Sequence, residues 1–210
     1  MFNRQARVFL SYRHREFAGP NADELNRQHV EWVRQFSAGL RQWGVEVVDD
    51  HRVRRLLNPL LNGKAEVAPL TADVALAAMC VCQAFIPVIT PGYLARLGYG
   101  DYTPQTSCED GYVLDEFQQA CAMAAAGQMD LVPVLRLGNL EAIERLPLGL
   151  NRRTMFDLRD GIARDDTVEL IADHLRLGWR VEKPAIDMEL RDWLGQFLRE
   201  RLAMEMKKAA

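Results

Sequence analysis

The sequence contains no C-x-x-C pair among its four cysteines, Cys80, Cys82, Cys108 and Cys121. The one close pair is C-x-C, which is not a usual zinc spacing, and a chain this large and apolar needs no disulfide staples. Structural thiols and no bound metal are therefore expected. An excess of positive charge is missing too: 26 Lys and Arg face 29 Asp and Glu, a formal charge of −3. That balance argues against a nucleic-acid partner. The longest apolar run, from Val74 to Ile89, is broken by Gln83 and Pro87, and it falls short of the roughly 18 clean residues of a membrane span. The first residues carry no cleavable signal pattern, so a soluble, cytoplasmic protein in a reducing compartment is expected. There is no G-x-G-x-x-G, no phosphate loop, no H-E-x-x-H and no G-x-S-x-G. The four histidines, His14, His29, His51 and His174, are scattered and read as surface or core residues rather than catalytic bases.

What is present is an ordinary globular composition, 49% apolar and 26% charged over 210 residues. Short apolar runs alternate with amphipathic stretches. Arg7–Ser11, Val45–Asp49, Ala84–Thr90, Leu131–Leu135 and Thr154–Leu158 read as five strands. Pro87 and Pro133 sit awkwardly in two of them, because proline removes a ladder donor. Between the strands, Val30, Val33, Phe36, Leu40 and Trp43 recur at helical spacing up to Gly44. Shorter helices are expected over residues 72–79, from Thr90-Pro91 onward with Thr90 as its cap, over residues 111–127, and over residues 168–177. The segment from Asp50 to about Leu70 reads as a long loop, which in a compact domain is usually functional.

Strands alternating with helices imply right-handed crossovers and a parallel sheet with helices on both faces. Five strands suit the flavodoxin-like order 2-1-3-4-5, whose ligands sit beyond the carboxyl ends of the strands where the order reverses. That rule marks Ser11, Tyr12 and Arg13 after the first strand. It also marks Thr90 and Tyr93 after the third, with Asp49 and Asp50 after the second. Residues 1–180 are expected to form this domain. Residues 181–210 carry a further helical stripe, Ile186, Leu190, Trp193, Leu194, Phe197 and Leu198, which reads either as a helix closing the core or as a self-association surface.

One carboxylate stands out. On a helical wheel Asp115 faces away from the apolar stripe, whereas Glu116 lies at its border beside Val113 and Ala120. A carboxylate there is held partly out of water and needs something to bind it. An arginine partner would satisfy that need, and so would a ligand.

The order of short motifs resembles the TIR (Toll/interleukin-1 receptor) family. Arg7-Val-Phe-Leu-Ser-Tyr-Arg13 is similar to its opening strand, and Phe85-Ile-Pro-Val-Ile-Thr-Pro-Gly-Tyr93 to its strand followed by S-P-x-Y. Tyr112-Val-Leu-Asp-Glu116 is similar to its W-V-x-x-E, with Tyr112 in place of tryptophan, and Leu131-Val-Pro-Val-Leu135 to its I-V-P-I-I. The likeness spans about residues 5–175. It implies cleavage of the nicotinamide–ribose bond of NAD⁺ to give ADP-ribose or a cyclic isomer, with Glu116 as the catalytic residue and no separate cofactor. Tyr12 is then expected against nicotinamide or ribose and Arg13 against phosphate. Ser11, Asp49, Asp50, Thr90, Tyr93 and Tyr112 complete the expected substrate contacts. Arg52, Arg54 and Arg55 lie in the loop that borders the site in this family. The resemblance further implies homo-oligomeric or TIR–TIR assembly. In a bacterial chain it implies antiphage defence, with a downstream effector that senses a cyclic product. A non-catalytic assembly module and a nucleoside deoxyribosyltransferase-like enzyme remain open alternatives.

Overall fold

A computed structural model describes residues 6–49, 52–53, 72–99, 113–138, 155–161 and 165–177, together with residues 192, 195, 196 and 200. Strand β1 (Ala6–Ser11) leads to helix α1 (Ala22–Gln42) and strand β2 (Val45–Val48). Then come α2 (Ala72–Cys80), β3 (Ala84–Ile89), α3 (Pro91–Arg96) and α4 (Val113–Ala125). Strands β4 (Asp130–Leu131), β5 (Val134–Leu135) and β6 (Phe156–Asp157) and helix α5 (Asp165–Leu177) complete the described elements. All the pairings are parallel, and the sheet runs β2-β1-β3-β5-β6, with β4 also on β3. The chain is thus an α/β protein built on a parallel sheet.

The expected strand Leu131–Leu135 is instead two short pieces, and the reason lies in the prolines. Asp130 and Val132 donate to Gln83 and Phe85 at 2.9 Å, and Arg136 donates to Ile89 at 3.0 Å. The alternation puts the nitrogen of Pro87 on this same ladder, where it has no proton to give. The pairing lapses beside Val132 and Pro133 and resumes without a shift, Ala84↔Asp130 before the gap and Val88↔Val134 after it. Pro133 still accepts from Phe156 at 3.0 Å through its carbonyl. Of the last expected strand, Thr154–Leu158, the described residues place Phe156–Asp157 in β6, and Leu158 donates on to Leu135 at 2.8 Å; Thr154 lies outside the described residues.

Strand alternation divides the interior into two cores. Val8, Leu10, Val47, Ile86 and Val134 pack with Val33, Phe36 and Leu40 of α1 and with Val168, Ile171 and Leu175 of α5. Phe9, Val48, Phe85, Ile89 and Leu135 pack on the other face with Met79 of α2, Tyr93 of α3, and Phe117 and Met123 of α4. The stripe spacing of α1 thus buries its apolar side, and Gly44, at φ +79°, ends the helix in the left-handed region that glycine tolerates best. Among the described residues no helix is long and apolar enough to cross a membrane. The C-terminal stripe of residues 186–198 lies outside the described residues except for isolated positions.

Phe36 is wholly buried and stacks on Trp32 at 5.4 Å between centroids. Phe36→Ala is expected to lower stability by about 3–5 kcal/mol, read as a drop in the denaturant midpoint with an unchanged slope.

Candidate functional site

The order 2-1-3 sends the chain to opposite faces after β1 and β3, so the carboxyl ends of these two strands flank the point where the order reverses. Alternation along β1 points Phe9 to the α2–α4 face and Leu10 to the other. Ser11 therefore meets the residues on the α4 side. Its Oγ donates to Glu116 Oε2 at 2.6 Å and lies 3.2 Å from Tyr93 Oη.

Helix α4 presents Val113, Phe117, Ala120 and Met123 to the core, and Glu116 is carried in beside them, 7% exposed, while Asp115 faces water. Tyr93 is fully buried. Burial drives its phenol well above the ordinary tyrosine range; the bond to Ser11 opposes this and the negative charge of Glu116 adds to it. The helix that carries Tyr93 starts as its sequence requires: Thr90 accepts from Tyr93 N at 3.1 Å, and Pro91 occupies the first turn.

A second carboxylate joins this edge of the sheet. Glu16, 4% exposed, accepts from Thr90 Oγ1 at 2.6 Å and from Gly92 N at 2.7 Å. Burial raises its pKa above the usual carboxylate value, against the lowering effect of these two bonds and of Arg13 and Arg136. Arg13 is itself buried, at 2% exposed. A Cβ on Gly92 would stand 2.5 Å from Arg13 Nη1 and 2.6 Å from Glu16 Oε2, so glycine is what lets the two side chains lie against this turn. The next residue, Phe17, exchanges two bonds with Asn26 of α1, N to Oδ1 at 2.8 Å and Nδ2 to O at 2.9 Å.

Behind Arg13, Arg136 lies over the Trp32 ring at 4.7 Å, and its Nη1 is 2.8 Å from His29 Nδ1. A guanidinium only donates, so Nδ1 is the acceptor and Nε2 carries the ring proton. Burial and the nearby charge of Arg136 push His29 down to about 3, and burial lowers Arg136 to about 10, with Glu16 opposing.

Ser11, Tyr93 and Glu116 thus form one hydrogen-bonded group, and Thr90 and Arg13 meet Glu16 next to it. Tyr12 turns to the α1 face, its ring tilted against that of His14 at 4.5 Å and edge-on to His29 at 6.2 Å. Asp49 Oδ1 accepts from Arg52 N at 2.6 Å, and Asp49 Oδ2 lies 3.7 Å from Arg41. Arg52 reaches the Val47 carbonyl at 2.9 Å and Glu46 at 2.7 Å, along β2. Asp50, Arg54, Arg55 and Tyr112 lie outside the described residues. Sequence reasoning did not single out Glu16, Gly92, His29 or Arg136. Glu16 stands in the polar run Ser-Tyr-Arg-His-Arg-Glu, which has no periodicity to separate a buried acid from a solvated one. Among the described residues no group of three or more His, Cys, Asp or Glu is placed to hold a metal ion. Compared with known proteins, the chain matches no family model and no curated sequence.

Two outcomes test this arrangement. Gly92→Ala is expected to lower stability by about 1–3 kcal/mol, since the new methyl displaces Arg13 and Glu16 from buried positions; denaturant unfolding measures it. For His29, the folded value of about 3 lies below the free imidazole value of 6.5, so the folded chain favours the neutral ring. Its contribution is complete above pH 6.5 and is lost as pH falls towards 3, at up to about 1.4 kcal/mol per pH unit. His29→Gln should remove that part of the slope when unfolding free energies of the two proteins are compared across pH 3–7.

Proposed function

We propose that this chain is a flavodoxin-like, TIR-type enzyme with five strand positions, counting β4 and β5 as one, that cleaves NAD⁺ at the nicotinamide–ribose bond. The observation that carries the reading is the 2.6 Å bond from Ser11 to Glu116. It holds a buried carboxylate at the carboxyl end of β1, beside the exit from β3, where doubly wound sheets bind their ligands.

The chemistry needs little more than a fixed negative charge. Nicotinamide leaves as a neutral ring, taking the electron pair of the C1′–N bond with it, so no strong general acid is required. The barrier lies in the positive charge that develops on the ribosyl C1′–O4′ unit, as in glycoside hydrolysis. A carboxylate oriented in a water-poor setting stabilises that charge and can hydrogen-bond the ribose hydroxyls. Attack of water on C1′, with loss of its proton, gives ADP-ribose; attack by an adenine ring nitrogen gives a cyclic isomer. NAD⁺ is the substrate, and the reading calls for no metal and no second cofactor. It also carries the partners implied by the resemblance: further copies of this chain in a TIR–TIR assembly, and an effector that responds to a cyclic product.

Concentrated, assembled protein incubated with NAD⁺ should release nicotinamide, followed by chromatography. Glu116→Gln should lower that rate at least about 100-fold, the loss typical of removing one electrostatic stabiliser. Normal turnover in Glu116→Gln would overturn the assignment. A silent wild-type assembly leaves an interaction module, and base exchange on deoxynucleosides identifies a deoxyribosyltransferase instead.

A further inference from the structure

We infer that Tyr93 and Ser11 are positioning residues, a directed chain of two hydroxyls that fixes the Glu116 carboxylate in orientation. The inference deepens the proposed NAD⁺-cleaving reading and rests on it for its catalytic consequence. It does not need that reading for its physical content.

The direction of the chain follows from counting protons. An ionised carboxylate only accepts, so the single Ser11 proton is committed to Glu116 Oε2 at 2.6 Å. The 3.2 Å contact between Ser11 Oγ and Tyr93 Oη must then run the other way, with the phenol donating to the serine. A hydroxyl that accepts one bond becomes a better donor in the next, so Tyr93 strengthens the bond that Ser11 makes to Glu116. Both hydroxyls are out of water, Ser11 at 1% exposed and Tyr93 at 0%. In this role each acts through the carboxylate.

The supports come from three separate elements. Ser11 ends β1, Tyr93 sits in the first turn of α3, and Glu116 sits in the first turn of α4. Pairing of Ser11 with Pro87 of β3 fixes the first of these. The bond from Tyr93 N to Thr90 fixes the second. The third is held by Phe117 and Ala120 in the core. Among the described residues, the titratable groups acting on Tyr93 are Glu116 itself and Cys121 of α4. Burial moves the Tyr93 and Cys121 protons to higher pH, so neither changes charge in the range where a carboxyl titrates. An orientation role separates from a contact role in kinetics, since it alters the transition state without altering ground-state binding.

The full-length chain and its Tyr93→Phe, Ser11→Ala, double and Glu116→Gln variants provide the test. In steady-state nicotinamide release, Tyr93→Phe should lower kcat about tenfold and Ser11→Ala about ten- to a hundredfold, with KM unchanged in both. The acid limb of the rate profile should move to higher pH. The double variant should be no slower than Ser11→Ala, because the phenol acts only through the serine. The second readout is a carbon-13 carboxyl titration of Glu116 without substrate, its signal assigned by loss in Glu116→Gln. Its midpoint should move to higher pH in Tyr93→Phe and in Ser11→Ala. Should Tyr93→Phe fail to fold, Ser11→Ala carries the titration alone. A moved midpoint in a protein that releases no nicotinamide upholds the hydroxyl chain and overturns the enzyme reading. An unmoved midpoint, a raised KM, or additive losses in the double variant overturns the hydroxyl chain, whatever the activity.

Discussion

A carboxylate taken out of water costs several kcal/mol unless donors replace its hydration, and at the carboxyl edge of this sheet two of them are taken out. Glu116 is met by the Ser11 hydroxyl and Glu16 by the Thr90 hydroxyl and the Gly92 amide. Ser11 ends β1 and Thr90 directly follows β3, so the same residues that end these strands also receive the buried charge. Tyr93 belongs to both arrangements: its amide is capped by Thr90 and its phenol reaches Ser11. The polar edge is therefore continuous across the point where the strand order reverses, and altering one member disturbs its neighbours' donors.

The rest of the fold serves to bring those strand ends together. The β1–β3 pairing runs unbroken from Val8↔Ala84 to Ser11↔Pro87. The opposite edge of β3 is interrupted beside Pro87, and the cost of the missing donor falls on the β4–β5 side, away from Ser11. Two cores of similar make-up clamp the sheet from either face, which leaves the carboxyl edge as the region where buried polar groups gather.

Much of this was legible from the residues alone. Alternating periodicity gave the parallel sheet, its order on both sides of β1, and helices on both faces. The Thr90-Pro91 pair marked a real helix start, and the wheel position of Glu116 foretold a carboxylate at the border of the core. The interruption of Leu131–Leu135 was less readable, because its cause sits on the neighbouring strand: Pro87 withholds the donor, and only the register says opposite what. Tyr12 illustrates the period-2 rule working against adjacency in sequence, since it lies next to Ser11 in the chain and on the other face of the sheet. Glu16, Arg13 and Arg136 are brought together by tertiary structure alone. No spacing announces a buried charge cluster whose members lie in a loop after β1 and at the end of β5.

The paired bonds between Phe17 and Asn26 have a mechanical corollary. Together with Glu16, they fasten the polypeptide leaving β1 at two consecutive residues, one to the β3 exit and one to the long helix α1. Two anchors on consecutive residues leave this stretch of backbone little freedom to swing independently of the sheet and of α1.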